Sequence, residues 1–226
     1  MTKRDLNSSQ KQLLLLSSLV VISWFVPYLH WLTLPLQYLY THLHELGHAI
    51  AALLTGGQQI VIRVFADGSG ETVSLGGVQI LVSPAGYIGS TLMGALVLAF
   101  SGTRHGARNA AIGLLTLMII GLAFWIRGDL VGLLSAIVII AMFAFLARTN
   151  NETGQKLVQF IGLFLCVTSL QSVLQTLHFS RVAQIENDAQ ILEQATGIPA
   201  ILSATLWAGI SIGVAWWGLR RAWSAR

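Results

Sequence analysis

The sequence has a single cysteine in 226 residues, Cys166, so no disulfide within the chain braces the fold and cysteine usage does not report the redox compartment. Charge is scarce as well. Asp, Glu, Lys and Arg make up 10% of the chain, against about 25% in soluble domains, which excludes an ordinary soluble protein. Between its apolar runs the chain also lacks a polar stretch long enough to fold alone. The longest, Thr55–Leu81, has 27 residues, well under the ~50 of a small domain. The formal charge of +4 does not mark a nucleic-acid-binding protein, because the 13 Lys and Arg are scattered over both ends and most loops with no basic stripe.

What is present in quantity is hydrophobic sequence, 54% of all residues. Seven runs are long enough to approach or complete a bilayer crossing: Leu13–Leu34, Pro35–Leu54, Val82–Phe100, Ala110–Ile126, Leu130–Ala147, Leu157–Leu177 and Ile198–Leu219. The pattern predicts an all-α polytopic membrane protein with six or seven transmembrane helices. Residues 1–226 read as one integral membrane domain in contact with the lipid bilayer. Lys3, Arg4 and Lys11 precede the first run, which continues past Trp24 and Tyr28 without a small-residue cleavage site, so a retained anchor is expected. Thr33-Leu34-Pro35 reads as the turn between the first two spans, with Pro35 opening the second helix at its first position. Basic residues divide almost evenly between the two sides and set no orientation.

Three connections carry local signals. In Gly56–Leu81, β-branched runs flank Ala66-Asp67-Gly68-Ser69-Gly70, a β-hairpin pattern bracketed by Gly56, Gly57, Gly76 and Gly77. Ala110–Ile126 and Leu130–Ala147 are short and joined only by Arg127-Gly128-Asp129, so they read as thin spans or half-spans. Between Leu177 and Ile198, Asn187 or Asp188 is placed to cap a short helix that Gly197 and Pro199 end.

The chemistry sits in the second run. Thr41-His42-Leu43-His44-Glu45-Leu46-Gly47-His48 lies inside apolar sequence, where one charged side chain costs about 2.5–3.5 kcal/mol near the bilayer centre. His44-Glu45-x-x-His48 is the HExxH pattern. At ~100° per residue its two histidines are separated by about 40° after a full turn, so both imidazoles face one point and are preset as zinc ligands. Glu45, one step round the helix, can act on a zinc-bound water without ligating the metal, as a general base does. Chance would supply the pattern only about 0.003 times in a chain of this composition. The bland alternative is three buried polar groups bonded between helices, which is costly without a metal. His42 points about 200° from His44, toward a hydrogen bond with a neighbouring helix.

A catalytic zinc takes a third protein ligand and keeps a fourth position for water. His30, His105, His178, Asp67, Glu71, Asp129 and Asp188 are all available by residue type, and each has an ordinary structural explanation: a span end, a hairpin turn, a helix cap or an ion pair. Spacing does not choose among them.

Taken together, His44–Gly57, the glycine-flanked hairpin, Ser83-Pro84-Ala85-Gly86-Tyr87-Ile88-Gly89-Ser90 and the later segment Asn187–Pro199 resemble the site-2 protease family of intramembrane zinc metalloproteases, in particular its compact bacterial and plant branch. The resemblance covers about Thr41 to Trp207. It implies one zinc per chain held by His44, His48 and Asp188, with Glu45 as catalytic acid/base and a transmembrane protein as substrate. It also implies a multi-pass protein of the bacterial inner membrane. The Leu-Asp-Gly motif that carries the ligand aspartate in the larger family is missing, so Asp188 rests on the compact-branch pattern, and the chain has no room for a PDZ domain. Two other classes compete: a non-catalytic metal-binding protein or transporter, which gives Glu45 no role, and a pseudoprotease scaffold. Bound metal together with turnover separates the three.

Overall fold

The computed structural model describes residues 8–25, 29–180 and 187–224. Among these described residues eight helices and one hairpin follow in the order α1 (Ser8–Phe25), α2 (Leu29–Leu54), β1 (Gln58–Val64), β2 (Gly70–Leu75), α3 (Gln79–Phe100), α4 (Arg104–Phe124), α5 (Leu130–Arg148), α6 (Glu152–Phe179), α7 (Asp188–Thr196) and α8 (Ala200–Ser224). The chain is a mostly helical, multi-pass membrane protein. Among the described residues five helices are long and apolar enough to cross a bilayer: α3, α4, α5, α6 and α8. The α2 helix has 26 residues and so matches them in length, but its middle carries Thr41, His42, His44, Glu45 and His48. With 21 and 19 residues, α4 and α5 extend about 31 and 28 Å at ~1.5 Å per residue; their length is that of full spans.

One boundary differs from the sequence expectation. The helix is continuous through Thr33, Leu34 and Pro35, so the turn expected there is absent. Pro35 instead lies in the second turn of α2, where its missing N–H forfeits one backbone hydrogen bond.

The hub of the molecule is α3, which packs against α2, α4, α6, α7 and α8. Backbones come close where one side is glycine: a Cβ built on Gly47 of α2 would overlap Ala85 and Gly86 of α3, one on Gly94 would meet Leu165 and Cys166 of α6, and one on Gly218 of α8 would meet Ala95. Small residues serve this purpose in lipid, where burying apolar surface gives no drive and close van der Waals contact must supply it. Hydroxyls add polar ties between α3 and α6. Ser169 Oγ lies 3.0 Å from Ser90 Oγ, 2.6 Å from Thr91 Oγ1 and 2.9 Å from the Tyr87 carbonyl.

The expected hairpin forms as a two-stranded antiparallel sheet, with Ile62 opposite Thr72, Arg63 opposite Glu71 and Val64 opposite Gly70. At its turn Asp67 accepts from the Ser69 hydroxyl at 2.6 Å and amide at 2.9 Å, which holds its carboxyl below the usual range. Gly76 and Gly77, at φ 80° and 98°, return the chain from β2 into α3 in a conformation that side chains disfavour. The hairpin lies along α2: Tyr38 Oη donates to the Ala66 carbonyl at 2.9 Å and Thr41 Oγ1 to the Gly68 carbonyl at 2.7 Å.

Candidate metal centre

On α2 the side chains of His44, Glu45 and His48 are buried, at 8%, 5% and 4% exposure, although three such groups are costly to enclose. The helix twist brings the two histidines together as the spacing requires, with their Nε2 atoms 3.0 Å apart. Asp188, the first residue of α7, meets them from 144 positions later in sequence: its Oδ2 lies 3.5 Å from His44 Nε2 and its Oδ1 3.6 Å from His48 Nε2. The cap of α7 is Asn187, whose Oδ1 accepts from the amides of Ala189 and Gln190. Asp188 is thereby left free to face the imidazoles. Burial raises the proton affinity of its carboxyl, but beside protonated His48 and His44 it is lowered by more, so next to an imidazolium the carboxyl stays anionic below the usual carboxylate range.

These three side chains can hold a metal ion, each offering one donor atom. The separations of 3.0, 3.5 and 3.6 Å, the last two to different oxygens of Asp188, are close to the about 3.3 Å between corners of a tetrahedron with ~2.0–2.1 Å arms. The hydrogen bonding fits as well. His48 donates its Nδ1–H to the Val82 carbonyl at 2.8 Å, so in the neutral ring Nε2 presents a lone pair. His44 Nδ1 lies 3.3 Å from Tyr40 Oη, and its ring stands edge-on to Tyr87. In their neutral forms two imidazole lone pairs and a carboxylate converge on one point, an arrangement that a metal cation would hold together.

Helix α3 makes room for this point. A Cβ on Gly86 would overlap both Nε2 atoms, so only glycine leaves the space beside them open. A cavity of about 590 Å³ opens next to the cluster, lined by α2, β2 and α7 and including Glu45, Tyr87 and Asp188. Glu45 is the one acid of α2 and faces the hairpin: Thr72 Oγ1 donates to its Oε2 at 2.7 Å.

The other residues that sequence offered as ligands take their ordinary roles. Asp129 caps α5 by accepting from the Val131 amide, Glu71 pairs with Arg63 at 2.8 Å, and Asp67 closes the hairpin turn. His178 stands edge-on to Phe179 and His105 sits in the first turn of α4; the side chain of His30 lies outside the described residues. His42, on the opposite face of α2, bonds Ser135 of α5 through Nε2 at 2.8 Å, the inter-helix bond its position predicts. Sequence reasoning did not single out Tyr40 or Thr72. Gly86 and Tyr87 belonged to the family-like segment, but nothing in the spelling of that segment showed that they flank the histidines.

A helical membrane protein with an HExxH helix and an aspartate closing a three-donor cluster has the architecture of a membrane metalloprotease. The family model described as Peptidase M50B-like matches residues 15–218, and the chain belongs to that family, the site-2 protease family of zinc metalloproteases. No curated protein and no solved structure matches the chain.

Proposed function

We propose that the chain is a single-domain intramembrane zinc metalloendopeptidase that hydrolyses peptide bonds within membrane-spanning substrates. The observation that carries this reading is the convergence of His44, His48 and Asp188, from elements far apart in sequence, beside a buried glutamate that is not one of the donors. The three would hold one zinc. Such an ion lowers the pKa of water toward ~7 and polarises a carbonyl oxygen, which together make amide hydrolysis feasible at neutral pH.

Glu45 is the acid/base. It takes a proton from the attacking water and returns it to the departing amine, a shuttle that needs a carboxylate next to the reacting atoms but not bound to the metal. Asp188 and the two imidazoles stay unprotonated and anchor the site. Because a transmembrane helix hides each carbonyl in an i to i−4 hydrogen bond, the substrate must unwind to be cut. The outer edge of β2 borders the cavity and is unpaired among the described residues, so an unwound segment can be captured there by strand addition. With α2, and with α1 where its apolar stretch crosses as well, the five apolar helices make six or seven spans, and the offsetting interactions of α2's polar residues support placing α2 among them. The compact-branch resemblance supports a bacterial inner membrane.

Cleavage of a single-span helical reporter by the purified full chain tests the reading. Chelation should abolish cleavage and one equivalent of zinc should restore it, while Glu45→Gln should bind zinc as well as the wild type and cut nothing. Cleavage by Glu45→Gln near the wild-type rate would remove Glu45 from the mechanism.

A further inference from the structure

Thr72 stands where the substrate edge and the acid/base meet. Its hydroxyl is 2.7 Å from Glu45 Oε2 and 3.0 Å from the Glu45 carbonyl oxygen, so the middle of β2 is fastened to the glutamate through one side chain. Its backbone faces the other way from β1. The residue opposite it, Ile62, donates its amide to the Trp125 carbonyl at 2.8 Å and accepts from the Arg127 amide at 3.0 Å, which turns both of its main-chain groups away from β2. In an antiparallel ladder the two members of a pair either exchange both hydrogen bonds or neither. The N–H and C=O of Thr72 therefore point to the free edge of β2, the edge that borders the 590 Å³ cavity.

Gly70, two residues earlier on the same face of β2, leaves room for the same carboxylate: a Cβ there would come within 2.8 Å of Glu45 Oε1. One strand therefore both seats the carboxylate, at Gly70, and bonds it, at Thr72. A carboxyl group on a flexible side chain turns about its last bond, and a hydroxyl on one oxygen fixes the plane that the acid/base presents to the reacting atoms.

We infer that Thr72 is a positioning residue that couples substrate docking to catalysis: its main chain pairs with the substrate strand while its hydroxyl sets the orientation of Glu45. This rests on the protease reading. It adds that a peptide is cut efficiently only when the strand it pairs with is the strand that holds the acid/base, so that docking and chemistry share one residue.

The test uses the zinc-loaded full chain in detergent micelles and a fluorescent single-span Leu/Ala peptide interrupted at its middle by Gly-Pro. Thr72→Val keeps the shape and the backbone and removes only the hydroxyl. It should lower kcat about 10- to 100-fold, with KM within about twofold of wild type and zinc content unchanged. Thr72→Ser, which keeps the hydroxyl, should recover most of the lost kcat. Wild-type kcat in Thr72→Val overturns the inference, as does a Thr72→Ser variant as slow as Thr72→Val, because the methyl group would then be what matters. A wild-type chain with no zinc-dependent cleavage overturns the protease reading itself, whereas zinc-dependent cleavage that is insensitive to Thr72→Val overturns only the coupling.

Discussion

Gly86 shows how much one absent side chain can decide. The space beside both Nε2 atoms exists because α3 presents a hydrogen atom there, and a methyl group would overlap both nitrogens. Gly86→Ala should therefore leave the helices intact but weaken zinc by 10-fold or more, measured by competition with a chelator of known affinity; this magnitude is that of disturbing groups just behind a metal ligand. Retention of full affinity would place the ion elsewhere. Asn187 and Asp188 make the complementary point. Sequence offered either as the helix cap, and the structure gives the cap to Asn187 and turns Asp188 to the histidines. Asn187→Ala should lower stability by about 1 kcal/mol, read from the unfolding midpoint, with zinc still bound. The geometry of His44, Glu45 and His48 was legible because four residues on a helix fix direction. Asp188 needed the family resemblance, since no local rule reaches across 144 residues to an aspartate that also suits a cap.

Among the elements, α3 bears the packing, and its contacts follow glycines and alanines more than large side chains. Gly218 and Gly213 lie on the same helix and differ in surroundings: a Cβ on Gly218 meets the backbone of Ala95 at 2.7 Å, and one on Gly213 meets nothing within 4 Å. Replacing either by alanine gains up to about 1 kcal/mol of helix propensity, but overpacking against a backbone costs about 1–3 kcal/mol. Gly218→Ala should unfold at lower temperature than wild type in detergent, and Gly213→Ala at the same temperature or higher. Equal shifts would mean that the α3–α8 contact is not close-packed. The apolar runs and the hairpin were readable because their periodicities are local properties of the chain. The turn expected at Thr33–Pro35 was misplaced because a proline is a breaking signal on local grounds, whereas the helix runs through Pro35 at the loss of one backbone hydrogen bond. The role of Thr72 was not readable, because it arises from β2 lying against α2, whereas Tyr40, four residues before His44 on one helix, could have been found from spacing.

At the scale of the whole molecule, a short helix that does not cross the membrane brings an acid into a cluster otherwise confined to one span. Helix α7 is held for this by its packing under α3 and α8 and by Glu193, which accepts from the Ala200 amide at 3.2 Å where α8 begins. If the site is assembled in this way, its metal depends on both distant segments at once. Zinc content per chain, measured on the purified full-length wild type and on Asp188→Ala in parallel, tests this most directly. The account predicts about one zinc in the wild type and loss of most of it in Asp188→Ala, with the variant still folded. Equal zinc in the two proteins would contradict it.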